Sequence, residues 1–267
     1  MPLIHPSALI DPACELAKDV VIGPYVVLEG SVKLAPGCRV EAHAQIIGDV
    51  EIGSGTVIGR AAIIGCEPQD LGFKSTTKSG VRIGANNVIR EHVTIHRGSK
   101  EGGATVVGNH NFLMVGTHLA HDVVLGDHNI LANACLLAGH IHVGNRVFIG
   151  GGAVFHQFIR IGDFVVVQGN GSFSKDIPPY CAALRTNGIG GLNAIGLRRA
   201  GFSAIERSEI KRAFDGFYRS GKNFRQAVEE AKSQTWGECA ARFFDFVSAP
   251  SKKGICPLIK RSTNDEF

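Results

Sequence analysis

Aliphatic residues, and once a phenylalanine, occupy every sixth position along most of the chain. The first series is Ile4, Ile10, Leu16, Ile22, Leu28, Leu34, Val40, Ile46, Ile52, Ile58 and Ile64. The second is Ile83, Ile89, Ile95, Val107, Leu113, Leu119, Leu125, Leu131, Leu137, Val143, Ile149, Phe155, Ile161 and Val167. A period of six is neither helical nor alternating; it is typical of a hexapeptide β-helix. The pattern therefore predicts short strands that coil into a triangular prism, with eighteen residues in each coil.

Two further positions of the repeat support this prediction. The residue after the aliphatic one is often glycine, as at Gly53, Gly84 and Gly144, and a corner with unusual backbone angles would favour glycine there. Four residues after the aliphatic position the side chain is usually small or β-branched, which fits a second inward-facing position. Asn111 and Asn129 share such a position one coil apart, and we expect them to form a short amide ladder.

The repeat is interrupted twice before it ends. Residues 66–80 and about 97–105 fall outside the period, so we expect both to be loops that leave the prism, where functional residues are common. After the segment Asp176-Ile177-Pro178-Pro179-Tyr180 the periodicity becomes helical. The sequence therefore predicts a β-helix over residues 1–183 and a C-terminal α-helical domain over residues 184–267.

Helix-capping signals indicate where the C-terminal helices begin. Ser203 with Glu206 forms the pattern of a capping box, and Asn223 with Gln226 begins a second helix in the same way. A third helix is expected over residues 235–247. We expect this domain to cover the open end of the coil stack, whose unpaired strand edge would otherwise invite aggregation.

The formal net charge is +4, and positive charge is concentrated in residues 185–225. This stretch could meet an acidic partner, or it could be an ordinary solvated helical surface. No aromatic platform accompanies it, which disfavours nucleic-acid binding. The seven cysteines include no C-x-x-C pair, and the sequence shows neither a signal peptide nor a long apolar run. We therefore expect a soluble protein in the reducing cytoplasm.

Histidines form the most informative cluster of polar residues. The eighteen-residue coil places His121 beside Gly139 and Gln157 of the two following coils. His140 and His156 are the chain neighbours of those two residues. We therefore expect His121, His140, His156 and Gln157 to line one face of the prism.

Two residues near this cluster extend it. His118 is expected at the preceding corner, and Asp122 could orient the imidazole of His121, although adjacent strand residues point to opposite sides. Such a cluster suits general acid–base catalysis near neutral pH, zinc binding, or merely the polar surface of a flat sheet. The spacing alone leaves all three interpretations open.

Ordered motifs across nearly the whole chain resemble the UDP-N-acetylglucosamine O-acyltransferase family. The motifs are Ile89-Arg90-Glu91-His92-Val93-Thr94-Ile95-His96-Arg97-Gly98, His118-Leu119-Ala120-His121-Asp122, Leu131-Ala132-Asn133, Leu137-Ala138-Gly139-His140, His156-Gln157-Phe158, Asp176-Ile177-Pro178-Pro179-Tyr180, Gly191-Leu192-Asn193 and Gly196-Leu197-Arg198-Arg199. The resemblance implies an all-β repeat with a small α domain, namely a left-handed parallel β-helix followed by helices. It also implies a homotrimer with active sites between subunits, acting at the start of lipid A synthesis.

The resemblance implies a role for each matching residue. His121 would be the general base that takes a proton from the sugar 3-hydroxyl, Asp122 would support it, and the backbone N–H of Gly139 would hold the oxyanion. The acyl donor would be an (R)-3-hydroxyacyl chain on the phosphopantetheine of acyl carrier protein, and the acceptor UDP-N-acetylglucosamine, with no cofactor or metal. The basic C-terminal domain would receive the acidic carrier protein. The substrate-binding positions would be Gln69, Asp70, Lys74, His118, His140, His156, Gln157, Asn193 and Arg199.

Three positions bear on specificity. Gly72 stands where the family usually has lysine, so Lys74 or Lys78 would have to replace that contact, and Ala200 replaces the second arginine of a usual pair. Gly169 matches the residue that measures acyl-chain length. Because glycine has no side chain to close a groove, it favours donors of roughly fourteen carbons or longer.

Other functions remain open at this point. The same chemistry could act on a 3-amino nucleotide sugar. A zinc enzyme of the γ-carbonic anhydrase type would use three of the histidines but leaves the first loop and the helical domain without a role. A non-catalytic scaffold would need no histidine cluster.

Overall fold

The computed structural model describes residues 1–259, which form a parallel β-helix followed by a hairpin and helices. The first sheet contains β1 (Leu3–Ile4), β4 (Val21–Ile22), β7 (Arg39–Val40), β10 (Val57–Ile58), β13 (Val88–Ile89), β16 (Phe112–Leu113), β19 (Ile130–Leu131), β22 (Phe148–Ile149), β25 (Val166–Val167), β27 (Cys181–Leu184) and β28 (Gly188–Leu192). The second contains β2 (Leu9–Ile10), β5 (Val27–Glu29), β8 (Gln45–Ile47), β11 (Ile63–Cys66), β14 (Thr94–His96), β17 (His118–Leu119), β20 (Leu136–Leu137), β23 (Val154–Phe155) and β26 (Ser172–Phe173). The third contains β3 (Glu15–Leu16), β6 (Val32–Leu34), β9 (Asp49–Ile52), β12 (Gly80–Ile83), β15 (Ala104–Val107), β18 (Val124–Leu125), β21 (His142–Val143) and β24 (Arg160–Ile161).

The predicted repeat is confirmed by the strand register. Strands β1 to β27 pair in parallel between successive coils, so that His118 lies beside Leu136 and Leu136 beside Val154. The aliphatic positions from Ile22 onward are buried, as are the small inward positions from Val20 onward. Ile4, in the first coil, keeps 40 % of its surface exposed.

The glycines that follow the aliphatic position were expected to adopt unusual backbone angles, and at most positions this prediction is wrong. Among these glycines Gly65 has a positive φ, whereas Gly53, Gly84 and Gly144 do not. A Cβ at Gly53 would lie 2.5 Å from the carbonyl carbon of Gly84, so close approach of the next coil excludes a side chain. The left-handed conformation falls two residues later, on non-glycine residues such as Asn86.

The amide ladder is confirmed and is longer than expected. The Oδ1 atoms of Asn87, Asn111 and Asn129 accept hydrogen bonds from the backbone N–H groups of Asn111, Asn129 and Val147, each at 2.8 Å. All three asparagines are buried. Because a buried N–H must find an acceptor, the ladder satisfies donors that the coil backbone leaves unpaired.

The two predicted loops occur between β11 and β12 and between β14 and β15. They lengthen their coils, so that Ile63 pairs with Thr94 and Thr94 with His118 without a change of face. Functional residues on either side of the loops therefore stay in register.

The C-terminal part differs from the sequence expectation at its start. A helical periodicity was expected after Tyr180, with the first helix beginning at Ser203, but β27 and β28 form an antiparallel hairpin at the end of the first sheet. The helices are α1 (Ala194–Arg199), α2 (Ala204–Tyr218), α3 (Phe224–Ala231) and α4 (Glu238–Ser248), and both predicted capping boxes are present. Of the predicted C-terminal domain, residues 260–267 lie outside the described part. No helix among the described residues has both the length and the apolar character needed to cross a bilayer.

Candidate active site

A cavity of about 650 Å³ lies on the outer face of the second sheet, beneath the first loop. Residues of β17, β20, β23 and β26 form its floor, and Gln69 reaches it from the loop. Both apolar and polar groups line it, as is usual for binding sites of small molecules. Its lining residues are Gln69, His118, Ala120, His121, Leu136, Leu137, Ala138, Gly139, Val154, Phe155, His156, Gln157, Ser172, Phe173, Ser174, Thr186 and Asn187.

His121 and Asp122 form a hydrogen-bonded pair at the corner after β17. The distance from His121 Nδ1 to Asp122 Oδ2 is 2.8 Å, and only 13 % and 15 % of the two side chains is exposed. Asp122 has a φ of 59°, so the chain turns sharply and its carboxylate comes back to the preceding ring. Adjacent residues of a strand point to opposite sides, but His121 and Asp122 lie at a corner, where both side chains can meet.

The other ring nitrogen of His121 faces Gly139 of the next coil. A Cβ added to Gly139 would lie 2.5 Å from Cε1 and 2.7 Å from Nε2 of His121. The N–H of Gly139 donates no hydrogen bond within residues 1–259, whereas the N–H groups of Asn109 and Asp127 at equivalent corners donate to side chains of the next coil. A ring nitrogen of His121 and an unused backbone donor thus lie together in the cavity.

The carboxylate of Asp122 is held from the second loop as well. Ser99 donates its hydroxyl to Oδ2 at 2.5 Å and its backbone N–H to both oxygens at 3.1 and 3.2 Å. Burial acts to raise the pKa of Asp122, but the hydrogen bonds from Ser99 and His121 outweigh it, and the pKa lies below its usual range. An ionised Asp122 accepts a hydrogen bond from Nδ1 of His121, so Nε2 is the ring nitrogen that points away from the carboxylate.

The neighbouring histidines are kept neutral. Burial, together with His96 and His121, lowers the pKa of His118 from 6.5 to about 4, and Thr94 Oγ1 lies 2.7 Å from its Nδ1. Burial also lowers the pKa of His96 and His140. An ionised Asp122 therefore lies among His96, His118 and His140, whose imidazoles are neutral near neutral pH.

Comparison with known proteins relates this geometry to a family. A family model described as UDP-N-acetylglucosamine O-acyltransferase, domain 2, matches residues 176–256. An acyl-[acyl-carrier-protein]--UDP-N-acetylglucosamine O-acyltransferase of Chlamydia pneumoniae is 44 % identical over 269 residues, covering 100 % of this chain and 96 % of the relative. A protein of the same name from Thermodesulfovibrio yellowstonii is 40 % identical over 256 residues, covering 95 % and 98 %.

Solved structures agree with the sequence comparison. LpxA from Acinetobacter baumannii superposes with a TM-score of 0.89 at 36 % identity, covering 95 % of this chain and 99 % of that one. The UDP-N-acetylglucosamine acyltransferase of Francisella novicida gives 0.90 at 31 % identity, covering 98 % and 95 %.

The chain belongs to the UDP-N-acetylglucosamine O-acyltransferase family. It is therefore an acyltransferase enzyme, and its β-helix is the left-handed one that the resemblance implied.

Six of the residues that the resemblance to this acyltransferase family singled out line the cavity together: Gln69, His118, His121, Gly139, His156 and Gln157. His118 belongs to strand β17 and His121 to the corner, so the expectation that placed His118 at a corner is wrong. His140 does not line the cavity; its Nδ1 lies 3.7 Å from Asp122 Oδ2, behind the carboxylate, and its ring stacks on Phe158 at 4.6 Å.

Five other residues lie outside the cavity of the single chain. Asp70 Oδ1 accepts a hydrogen bond from the N–H of Gly72 at 2.8 Å, which shapes the loop, and Lys74 is exposed on the same loop. Asn193 caps α1 by accepting from the N–H of Gly196, and its Nδ2 donates to the Phe164 carbonyl. Arg199 and Gly169 are exposed.

Sequence reasoning missed the residues that connect the loops to the site. The Arg97 guanidinium donates to the carbonyls of Thr77 and Ser75 and to Glu67, and it lies over the ring of Phe73. Ser99 was missed too, because the repeat gives no register for residues inside a loop. The contact between Thr94 and His118 could have been predicted by correcting the eighteen-residue coil for the inserted second loop, since the two residues pair directly.

Proposed function

We propose that this protein transfers an (R)-3-hydroxyacyl chain from acyl carrier protein to the 3-hydroxyl of UDP-N-acetylglucosamine, at the start of lipid A synthesis. One observation carries the proposal: Nδ1 of His121 is bonded to Asp122 while Nε2 lies against Gly139 inside the cavity. That arrangement suits direct acyl transfer with a histidine base and a backbone oxyanion donor.

The reaction needs no covalent enzyme intermediate. Nε2 of His121 removes the proton of the sugar 3-hydroxyl, and the oxygen forms a bond to the thioester carbonyl carbon. The carbonyl oxygen becomes an oxyanion that the Gly139 N–H stabilises. Collapse of this intermediate breaks the carbon–sulfur bond, and the thiolate of the carrier takes the proton from His121. Asp122 stabilises the imidazolium that exists between the two proton transfers.

The remaining cavity residues bind the two substrates in this proposal. Gln69 at the rim and His118, His156 and Gln157 on the floor offer polar contacts for a nucleotide sugar. Leu136 and Val154, which are 46 % and 38 % exposed, offer apolar surface for the acyl chain.

Residues outside the cavity would act from a neighbouring subunit of a homotrimer. Asp70, Lys74, Asn193 and Arg199 would contact the nucleotide and diphosphate, and Gly169 would measure the acyl chain. Exposed apolar residues on the first sheet, including Ile130 and Phe148 at 39 % and 43 %, support burial between subunits. The basic residues of α2 would receive the acidic carrier protein.

Metal-assisted catalysis is the second candidate. Donor atoms of His121, Asp122 and His140 lie within 4.8 Å of one another, a donor set that suits zinc. Binding a metal at Nδ1 of His121 would break the bond to Asp122, so the two functions exclude each other at this site.

The test is an assay of the purified protein with UDP-N-acetylglucosamine and 3-hydroxyacyl carrier proteins of several chain lengths, before and after treatment with a chelator. We expect an acylated nucleotide sugar at the same rate in both samples. No product from any donor would contradict the proposal, and loss of activity that zinc alone restores would favour the second candidate. A 3-amino nucleotide sugar serves as the alternative acceptor; faster N-acylation than O-acylation would reassign the acceptor.

A further inference from the structure

Ser99 makes the closest contact to the Asp122 carboxylate. Its Oγ lies 2.5 Å from Oδ2, and its backbone N–H lies 3.1 and 3.2 Å from the two oxygens. Hydrogen bonds to an ionised group are about twice as strong as those between neutral groups. Ser99 belongs to the second loop, 23 residues away in sequence, so the regular eighteen-residue repeat does not by itself produce this contact.

The carboxylate of Asp122 has two imidazoles within reach. His121 Nδ1 lies 2.8 Å from Oδ2, and His140 Nδ1 lies 3.7 Å from the same oxygen. A modest rotation of the carboxylate would let it bond to His140 instead. Burial, His121, Lys100 and Lys252 lower the pKa of His140, whereas Asp122 raises it, so a neutral His140 remains close enough to compete for the carboxylate through its Nδ1 atom.

The backbone around Ser99 is fixed. The N–H of Gly98 donates to the Gly80 carbonyl at 3.1 Å, and the N–H of Gly103 donates to Lys100 at 2.9 Å. A Cβ at Gly98 would lie 2.7 Å from the carbonyl carbon of Gly103, so the two ends of the loop pack directly together. Ser99 is thus held firmly enough to orient another group.

We propose that Ser99 is a positioning residue, which holds the Asp122 carboxylate on His121 and away from His140. The proposal rests on the proposed acyl transfer, because it gives His121 the task of the base. Ser99 itself touches no substrate in this account and acts through Asp122.

The test is a double-mutant cycle of Ser99→Ala and Asp122→Ala, with kcat and KM measured for UDP-N-acetylglucosamine. In the wild-type background we expect Ser99→Ala to lower kcat about tenfold, because one hydrogen bond to a charged group is lost while the backbone N–H remains. KM should stay unchanged. In the Asp122→Ala background the same substitution should change kcat by less than about twofold, since coupled residues are not additive.

Two further variants separate positioning from stability. Ser99→Thr retains the hydroxyl and should restore most of kcat. Ser54→Ala removes a hydroxyl at an exposed corner of the prism and should leave kcat and the thermal midpoint as in the wild type.

The outcomes separate this proposal from the acyl-transfer proposal. Suppose that the wild type is active. If Ser99→Ala lowers kcat by the same factor in both backgrounds, or leaves kcat unchanged in the wild-type background, the Ser99 proposal is overturned and the acyl-transfer proposal stands. If the wild type forms no product, the proposed function itself has failed.

Discussion

Asp122 shows how a single backbone angle creates the candidate site. Corner residues of the prism three positions after the inward aliphatic residue adopt a positive φ, and they include His110, Asp122, His128 and His140. Few non-glycine residues adopt this conformation, although Asn, Asp and His are enriched there. At Asp122 the turn lets neighbouring residues form a pair that a straight strand would forbid.

Gly139 provides a prediction at the residue scale. In Gly139→Ala the new methyl group would collide with the His121 ring, since a Cβ lies 2.5 Å from Cε1. We expect kcat to fall about 100-fold, the loss typical when an oxyanion donor is disturbed, while circular dichroism stays that of the wild type.

Gly216→Ala is the matched control for this substitution. Gly216 lies inside α2, and an added Cβ meets nothing within 4 Å. We expect unchanged kcat and a gain of about 0.5–1 kcal/mol in stability. Equal activity of the two alanine variants would contradict the placement of Gly139 beneath the base.

At the scale of elements, the two loops behave as one unit. Arg97 and Ser99 both belong to the second loop. The Arg97 side chain bonds to the first loop, which contains Gln69, and the Ser99 side chain bonds to Asp122. Glu101 also accepts a hydrogen bond from the N–H of Lys78 at 2.9 Å. The loop at 97–103 therefore connects the segment proposed to bind the nucleotide sugar with the proposed base.

Arg97→Ala should loosen the first loop without disturbing the base. The Arg97 side chain is only 15 % exposed and bonds to Thr77, Ser75 and Glu67. We expect KM for UDP-N-acetylglucosamine to rise about tenfold, corresponding to about 1.4 kcal/mol, with kcat nearly unchanged. Arg97→Lys should recover little, because an ammonium group cannot reproduce the planar fork of guanidinium.

Arg60→Ala is the control for the loss of the Arg97 side chain. Its side chain is 70 % exposed, and it forms an ion pair with Glu41 at 3.7 Å, so its loss should leave KM unchanged. A wild-type KM in Arg97→Ala would show that the first loop keeps its conformation without the hydrogen bonds from Arg97.

The sequence predicted the regular elements well and the irregular ones poorly, for a physical reason. A repeat specifies burial and register, so His121, Gly139 and Gln157 could be placed together without coordinates. It carries no register inside loops, which hid Ser99 and Arg97. It also gives no backbone angle, which led to the wrong corner for His118 and the wrong explanation for Gly53. The hairpin after Tyr180 was missed because its strands lie outside the period.

At the scale of the whole molecule, we propose that a neighbouring subunit completes the cavity of each chain. Several residues with proposed roles lie outside its lining, namely those assigned to the nucleotide and diphosphate (Asp70, Lys74, Asn193 and Arg199) and the one assigned to acyl-chain length (Gly169). Apolar residues remain exposed on the first and second sheets, among them Leu136, Ile130 and Phe148. A cyclic trimer of three-sided prisms would bury such rows and complete each site with a neighbouring subunit.

Gly169 tests this view of the assembled molecule. It is exposed and has no positive φ, so larger side chains are compatible with its backbone. A Cβ would lie 3.0 Å from the Gly151 carbonyl oxygen, which requires a small local shift. We expect Gly169→Met to shift preference toward shorter acyl donors and Gly169→Ala to shift it less, in a competition assay with mixed carrier proteins. An unchanged preference in both variants would exclude Gly169 as the residue that measures chain length.

The most direct test of the account is the rate of acyl transfer by His121→Ala. Its control is His128→Ala, because His128 is an exposed corner histidine outside the cavity. We predict that His121→Ala lowers kcat by about a thousandfold, within the range that a general base supplies, while His128→Ala retains the wild-type rate. Full activity in His121→Ala, with product formed from UDP-N-acetylglucosamine, would contradict the claim that His121 is the base.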